Sequence, residues 1–292
     1  MTPIDDLIRA YQRGDYGTAY RLSKPLAEQG FAQAQFIIAA MYAKGQGVPQ
    51  DYAEAFKWCR KAAEQGHTAA QYNLGTMYAK GQGVPQDYEE AFKLYQRPAE
   101  EGHPDAQYDL FGMYIKGEGV PQDYAEAAKW GRKAAEQGHI SAQYNLGVSY
   151  DMGLGVPQNH AEAVKWWRLA AEQGRADAQY RLGNKFKEGR GVTQNYTEAA
   201  KWFQKAAEQG HAIAQLDIGF MYGFNQGLGV ALDYVLAYMW LTLAISRADV
   251  FKEKVRILAI ETRHLVSANM TPAQITEAQH LAGEWELKKK AH

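Results

Sequence analysis

The sequence predicts an all-α protein in which helical hairpins stack as a solenoid, with capping helices at both ends. Two observations support this fold class. The string Ala-Glu-Gln-Gly, or a close variant, recurs every 36 residues, and the string Gly-x-Gly-Val recurs with the same spacing. The first string ends at Gly30, Gly66, Gly102, Gly138, Gly174 and Gly210. A fixed period of about 20–50 residues is typical of solenoids, because each unit buries its apolar face only against its neighbours.

Each unit is predicted to form two antiparallel helices. In the second unit, the apolar residues of 70–78 recur at helical spacing, and the loop at 81–85 breaks the pattern with two glycines and a proline. Asp87 then opens the second helix. Its carboxylate can accept from the N–H three residues on, and Glu90 can reach back to the N–H of Asp87, so we expect a capping box.

The repeats divide the chain into three parts. Residues 1–30 form N-terminal capping helices, and residues 249–292 form C-terminal capping helices and a basic tail. The six repeats between them span 31–66, 67–102, 103–138, 139–174, 175–210 and 211–248. Thr271 and Gln274 have the spacing of a capping box for the last helix, and we expect the tail at 288–292 to fray.

Three columns of residues recur with the period, and we interpret them as packing positions. One contains Leu74, Leu110, Leu146, Leu182 and Ile218, and another contains Ala55, Ala91, Ala127, Ala163, Ala199 and Ala237. The third contains Trp58, Trp130, Trp166, Trp202 and Trp240. Phe111 departs from the pattern, since glycine stands at its position in most units. Because Gly112 follows it, we expect a transposed Gly-Phe pair with local repacking.

The composition argues against several classes of protein. Of 292 residues, 46% are hydrophobic and 22% are charged, so the chain can bury a core. Lys plus Arg number 32 and Asp plus Glu number 33, which argues against a partner made of nucleic acid. No apolar run approaches the roughly 18 residues needed for membrane insertion. No secretory signal is visible, so we expect a cytoplasmic protein by default, with a periplasmic or secreted location left open.

We find no residue pattern that indicates catalysis, a cofactor or a metal. Cys59 is the one cysteine, which argues against an intrachain disulfide and a multi-cysteine zinc site. Four histidines recur with the period, at His67, His103, His139 and His211. Equivalent positions in packed helices lie about 10 Å apart, which is too far for sharing one metal ion. At this position a histidine can bond the terminal carbonyls of the preceding helix or interact with its dipole.

The repeated pattern resembles a known family. The fourth unit carries it almost throughout, at Ala142, Gln143, Leu146, Gly147, Tyr150, Gly153, Gly155, Val156, Ala163, Trp166, Ala171 and Gly174. This pattern is similar to the Sel1-like repeat, a relative of the tetratricopeptide repeats, in its bacterial type. The resemblance covers residues 31–248 and implies a right-handed α-solenoid that serves as a non-enzymatic protein–protein interaction adaptor. Some relatives were described as β-lactamase-like, but they carry a disulfide in each repeat, and this chain departs from them.

The resemblance also implies that the first helix of each repeat lines the concave face of the solenoid. Two neighbouring columns would then be open to a ligand. The aromatic column is Phe36, Tyr72, Tyr108, Tyr144 and Tyr180, closed by Leu216, and the polar column is Ile37, Asn73, Asp109, Asn145, Arg181 and Asp217. The candidate binding residues are Tyr72, Asn73, Tyr108, Asp109, Tyr144, Asn145, Tyr180 and Arg181. Alternatively, the tyrosines fill gaps between repeats and expose only their hydroxyls.

These observations leave three hypotheses for function. The first is an adaptor that binds a peptide or partner segment in the concave groove, because aromatic rings offer contact area and amides can bond a peptide backbone. The second is a protein associated with envelope polysaccharide or the cell wall, either one that handles polysaccharide or a weak, β-lactamase-like cell-wall hydrolase, in which stacked tyrosines face sugar rings. The third is a regular array that has no ligand of its own.

Overall fold

The computed structural model describes residues 2–224, 229–247 and 253–290. Within these ranges the regular structure consists of sixteen helices, which confirms the predicted all-α class. Their bounds are α1 Pro3–Gln12, α2 Tyr16–Glu28, α3 Ala32–Lys44, α4 Tyr52–Glu64, α5 Thr68–Lys80, α6 Tyr88–Glu100, α7 Pro104–Lys116, α8 Tyr124–Glu136, α9 Ile140–Met152, α10 His160–Glu172, α11 Ala176–Glu188, α12 Tyr196–Glu208, α13 Ala212–Gly223, α14 Tyr234–Arg247, α15 Glu253–Ser267 and α16 Pro272–Lys290. We call α3, α5, α7, α9, α11 and α13 the first helices, and α4, α6, α8, α10, α12 and α14 the second helices.

The chain forms two compact structural units, each larger than a single repeat, and the boundary between them falls inside α9. We call them the first unit and the second unit. One unit contains residues 1–142 and 154–156, and the other contains residues 143–153 and 157–292. In the first unit, α3 packs on α4, α5 on α6 and α7 on α8, while α4 and α6 also pack on the following first helix. In the second unit, α11 packs on α12 and α13 on α14, and α14 also packs on α15 and α16.

The second helices begin at a capping side chain, but the capping box is only half formed. Asp87 accepts from the backbone N–H of Glu90 at 3.1 Å, as predicted. The predicted bond from the N–H of Asp87 to the Glu90 side chain does not form. This N–H donates instead to the carbonyl of Tyr78 in the first helix at 3.0 Å. Glu90 pairs with Lys93 instead. A tertiary hydrogen bond to the first helix therefore replaces the local one.

The last helix has the complete capping box that the sequence predicts. The N–H of Thr271 donates to Gln274 Oε1 at 2.9 Å, and the N–H of Gln274 donates to Thr271 Oγ1 at 3.3 Å. The expectation of a frayed tail was wrong as far as Lys290, because α16 extends to that residue. Lysines at a helix C-terminus interact favourably with the helix dipole, which favours this extension. Residues 291 and 292 lie outside the described ranges.

The glutamine of the recurring Ala-Glu-Gln-Gly string ties the two helices of a repeat together. Gln65, at the end of α4, donates from Nε2 to Oε1 of Gln35 in α3 at 2.7 Å. Gln35 in turn donates to the carbonyl of Ala27 in α2 at 3.0 Å. Gln35 is buried, and a buried amide without partners would be destabilising by about 1–3 kcal/mol. The motif therefore recurs because it satisfies polar groups inside the array.

The predicted leucine and alanine columns are buried at every position, which confirms them as packing residues. The tryptophan column is less buried in the first unit, where Lys61 Nζ lies 4.5 Å from the ring centre of Trp58. The most deeply buried aromatic side chains lie one residue after the tryptophan column. There, Trp167 and Phe203 have no exposed surface. This neighbouring column therefore contributes more to the hydrophobic core than the tryptophan column that the sequence pattern emphasises.

At that column, a large side chain of the second helix packs on a glycine of the first helix. The pairs are Tyr95 on Gly75, Trp167 on Gly147, Phe203 on Gly183 and Leu241 on Gly219. A Cβ on Gly75 would lie 2.8 Å from the ring of Tyr95, so only glycine fits without movement. The third repeat inverts the pair, because Phe111 on the first helix packs on Gly131 of the second. The expected local repacking therefore occurs, but the glycine that accommodates Phe111 is Gly131 and not the transposed Gly112, where a Cβ would meet no atom within 4 Å.

The Gly-x-Gly loops connect the two helices of a repeat and contact the preceding repeat. Gly117 caps α7 in the left-handed region, and its N–H donates to the carbonyl of Met113 at 2.8 Å. Gly119 also has a positive φ, of +72°, and a Cβ there would lie 2.1 Å from the carbonyl oxygen of Tyr88 in the preceding repeat. The second glycine is therefore required both by its backbone conformation and by close approach.

Candidate functional site

The aromatic column stacks on the residue that precedes the next first helix. Ring centroids lie 4.5 Å apart for Tyr72 on His103 and for Tyr108 on His139 in the first unit. In the second unit the distance is 4.6 Å for Tyr180 on His211. Tyr144 follows the same geometry with a guanidinium, since the Arg175 carbon lies 4.2 Å from its ring centre. One face of each of these tyrosines is therefore covered, as the gap-filling alternative expects.

The rings of the recurring histidines cap the helix that follows them, while their backbone N–H groups bond the preceding helix as expected; the N–H of His67, for example, donates to the carbonyl of Ala62 at 3.2 Å. The N–H of Ala70 donates to Nδ1 of His67 at 3.2 Å, which makes His67 the N-cap of α5. Because Nδ1 accepts, the ring proton lies on Nε2, which faces Gln33 Oε1 at 3.0 Å. Burial lowers the pKa of His67, and this favours the neutral form that the cap requires.

In the polar column, one carboxylate of the first unit interacts with the tyrosine of the preceding repeat. The Tyr72 hydroxyl favours the charged form of Asp109. Burial raises the pKa of Asp109 above its ordinary value, although Tyr72 opposes the shift. Burial is also the main cause that raises the pKa of Tyr72. Asp109 is therefore a partly desolvated carboxylate, which carries a free-energy penalty when it ionises.

The second unit repeats this pair and adds a lysine. The Tyr180 hydroxyl favours the charged form of Asp217, and Lys187 Nζ lies 3.5 Å from Oδ1 of the same carboxylate. Burial raises the pKa of Asp217, although Lys187 opposes the shift, and burial raises the pKa of Tyr180 to about 12. The sequence placed Tyr180 and Asp217 in adjacent columns but did not reveal the interaction between them.

The remaining candidate residues differ in exposure. Asn73 and Asn145 are half-buried, and Arg181 is exposed, with its guanidinium carbon 5.8 Å from the ring centre of Trp167. We use the name first-helix face for the aromatic and polar columns together. In each unit this face presents amide, carboxylate or guanidinium groups beside rings that are held in place by stacking.

A buried charge cluster in the second unit was missed by sequence analysis. Oδ1 of Asp151 accepts from Lys185 Nζ at 2.5 Å and lies 2.7 Å from Nδ1 of His160. The Lys185 side chain is only 7% exposed, so its ammonium depends on this carboxylate. Burial would raise the pKa of Asp151, but the hydrogen bonds from Lys185 and His160 outweigh it, and the pKa lies below its ordinary value. All three residues depart from the repeat, because the equivalents of Asp151, His160 and Lys185 in the second repeat are Ala79, Tyr88 and Met77.

The thiol and the histidines offer no reactive or metal-binding arrangement in the described ranges. Burial raises the pKa of Cys59 to about 12, and its Sγ contacts the carbonyl of Ala70 at 3.3 Å. A thiol with such a pKa is protonated at neutral pH and is a poor nucleophile. Among the described residues, no three His, Cys, Asp or Glu side chains converge as a metal site.

Comparisons with known proteins give one family and several related structures. The Sel1 repeat family matches residues 32–67, 68–103, 104–139, 140–174, 176–211 and 212–249. A Sel1 repeat protein from Oxalobacter formigenes shares 32% sequence identity over 84% of this chain and 97% of its own, with a TM-score of 0.72. No curated protein matches the chain.

A second related structure is a protective antigen present in uropathogenic Escherichia coli strains, described as displaying an SLR fold. It shares 32% sequence identity over 97% of this chain and 68% of its own, with a TM-score of 0.61. Both structures support an all-α repeat solenoid. No helix in the described ranges has the length and apolar character to cross a membrane.

Proposed function

The chain belongs to the Sel1 repeat family, and we propose that it is a non-enzymatic adaptor that binds a segment of a partner protein along the first-helix face. Sel1 repeat proteins generally mediate protein–protein interaction, and their repeat is typically a non-catalytic scaffold. The proposal adds a location for the partner and a chemical reason for its recognition.

The polar column is the observation that carries the proposal. Its chemistry changes from an amide at Asn73 to a carboxylate at Asp109 and a guanidinium at Arg181, whereas Ile37 at its start is buried. The leucine and alanine columns beneath keep the same chemistry from repeat to repeat. Constant packing residues beside a polar column that varies suit the binding of an extended segment, because the segment then meets a different group at each repeat.

The stacked rings support the same function. Tyr72 and Tyr108 are held by the histidines of the next repeat, so little side-chain entropy remains to be lost when a partner binds. Asp109 is kept as a carboxylate although burial opposes its ionisation, and Asn73 shows that the column accepts an amide. A cationic group of the partner would relieve the penalty at Asp109, and perturbed groups of this kind are enriched at functional sites.

A double substitution tests the proposal. Asn145→Ala with Arg181→Ala removes two polar groups of the face in the second unit, and we expect it to abolish partner capture in a pull-down from native extract. The control is Glu162→Ala with Lys165→Ala, an exposed ion pair on α10, which should leave capture unchanged. Circular dichroism of both variants should match that of the wild type. Unchanged capture by the Asn145/Arg181 variant would contradict the location on this face.

A further inference from the structure

The first repeat lacks a side chain that other repeats possess. Where Tyr95, Trp167 and Phe203 pack on glycines, the first repeat has Cys59 facing Ala39. In the third repeat, Phe111 supplies the ring from the other helix. The first repeat therefore has a small residue on both helices, so no side chain of its own replaces the ring.

A cavity of about 410 Å³ lies beside these two small residues. Its walls are mainly apolar and include Phe36, Ala39, Cys59 and Met77, and polar groups of Asn73, Thr76 and Lys44 also line it. Cavities of about 300–1,000 Å³ with mostly apolar walls and a few polar groups are typical of ligand sites. The cavity lies entirely in the first unit, and Phe36 and Asn73 belong to the first-helix face.

Other repeats show what fits at this position. Tyr95 lies 5.5 Å from Tyr72 between ring centroids, Phe203 lies 5.6 Å from Tyr180, and Phe111 lies 6.0 Å from Tyr108. Phe36 is the equivalent of these first-helix rings, and residue 59 gives it no such neighbour. An aromatic ring in the cavity would pack on Phe36 as the chain's own rings pack elsewhere.

The charge at the cavity indicates what accompanies the ring. Lys44 is exposed and forms no ion pair within the described ranges, whereas Lys116 pairs with Glu118 in the third repeat at 3.4 Å. Phe36 and Lys44 are eight positions apart on α3, about 12 Å at 1.5 Å per residue. A flexible lysine side chain can therefore meet a carboxylate that lies next to a ring packed on Phe36.

We propose that this cavity binds an aromatic side chain of the partner segment, with an adjacent carboxylate on Lys44. The inference rests on the proposed function, because it supplies the anchor for a segment bound along the first-helix face. The occupant is thus a peptide that carries Phe, Tyr or Trp beside an acidic group.

The experiment uses small probes on the full chain. N-acetyl-phenylalanine carries a ring and a carboxylate, N-acetyl-phenylalanine amide carries the ring alone, and N-acetyl-alanine carries the carboxylate alone. Ligand-observed NMR and calorimetry should detect binding of the first, weaker binding of the second and none of the third. Lys44→Met should reduce the affinity for N-acetyl-phenylalanine to that for its amide. Absence of binding by N-acetyl-phenylalanine would overturn the proposal.

Two filled variants copy neighbouring repeats. Ala39→Gly with Cys59→Tyr reproduces the pair Gly75/Tyr95, and Ala39→Phe with Cys59→Gly reproduces the pair Phe111/Gly131. Each should weaken binding of N-acetyl-phenylalanine at least tenfold while the helical signal stays at the wild-type level. Because the two designs fill the space from opposite helices, one remains informative if the other does not fold. Undiminished binding by a folded filled variant would overturn the proposal.

A cross-control separates this inference from the proposed function. The Asn145→Ala/Arg181→Ala variant should bind N-acetyl-phenylalanine as the wild type does, because both substitutions lie in the second unit. If this variant still captures the partner while the wild type binds the probe, the face assignment fails and the cavity stands. If the probe does not bind while the double variant loses capture, the cavity fails and the face assignment stands.

Discussion

His103 stacks on the ring of Tyr72 with 4.5 Å between centroids, and Nδ1 of the same imidazole accepts from the N–H of Ala106. One side chain therefore caps its own helix and packs on the preceding repeat. The two roles can be separated, because asparagine caps helices well but offers no ring.

We predict a graded loss of stability for substitutions at His103. His103→Asn keeps the cap and loses the stacking, which should lower the free energy of unfolding by about 0.5–1.5 kcal/mol. His103→Ala also loses the cap, which should lower it by about 1 kcal/mol more. Urea unfolding of the full chain measures both. Equal stability of the Asn and Ala variants would show that the imidazole does not act as a cap.

This dual role shows how far sequence reasoning could go. The 36-residue period places His103 directly after Gly102, so the end of one helix and the start of the next are both within reach of its ring. Periodicity predicts the helices and their buried leucines, because packing recurs with the repeat. The choice between the two helix ends depends on a single side-chain rotation, which the pattern does not contain.

The polar contacts of the candidate site required the structure for a related reason. Asp151 and Lys185 are 34 residues apart, and neither matches a known motif. A signal was present, since Lys185 stands where four of the six repeats have methionine and His160 stands where the other five have tyrosine. Several polar residues replace the usual residues of the repeat in this region. Considered together, these replacements would have indicated that the side chains contact one another.

Two glycines of the third repeat should respond in opposite directions to alanine. Gly119 has a φ of +72° and no room for a Cβ beside the Tyr88 carbonyl, whereas a Cβ on Gly112 would meet no atom within 4 Å. A left-handed conformation destabilises an L residue by about 1–2 kcal/mol, and the clash adds to this in Gly119→Ala. Gly112→Ala should stabilise the chain by about 0.5–1 kcal/mol, because alanine favours a helix interior.

Urea unfolding of the two glycine variants, with circular dichroism as the signal, provides the comparison. Each variant serves as the control for the other, since both add one methyl group within the same repeat. A stability for Gly119→Ala that matches the wild type would mean that the loop is not the close contact described above.

Asp109→Asn should stabilise the protein at neutral pH. Burial raises the folded-state pKa of Asp109, so the favourable contribution of this group is complete below its unfolded pKa and is lost as the pH rises through the folded value. Asparagine has no such dependence, and its Oδ1 can still accept from Tyr72. The gain should therefore be largest near pH 7 and shrink as the pH falls towards 4.

Urea midpoints of Asp109→Asn and wild type, measured from pH 4 to pH 8, test this sign. Asn145→Asp offers the reverse substitution in the equivalent position of the next repeat. A gain for Asp109→Asn that is independent of pH would show that ionisation of the carboxylate is not the source of the penalty. If the asparagine variant also loses partner capture, the carboxylate of Asp109 is needed for binding although it destabilises the folded protein.

The charge cluster should behave as one unit, so that removing one partner is worse than removing two. Asp151→Ala leaves the Lys185 ammonium buried without its carboxylate and should lower stability by about 3 kcal/mol. Lys185→Met should be milder, because Asp151 is partly exposed and keeps His160. The double variant restores the apolar side chains of the second repeat, where Met77 and Ala79 stand. It should match or exceed the wild type, since well-packed apolar residues often replace a buried ion pair without loss.

The double-mutant cycle at Asp151 and Lys185 is read from urea unfolding at pH 7, where strictly additive losses would contradict the cluster. The dependence of stability on pH provides a second test. The folded-state pKa of Asp151 lies below its unfolded value, so its contribution is present above the unfolded pKa and is lost as the pH falls through the folded one. The wild type should therefore lose stability below about pH 4 more steeply than the double variant, given an ordinary aspartate pKa of about 3.9.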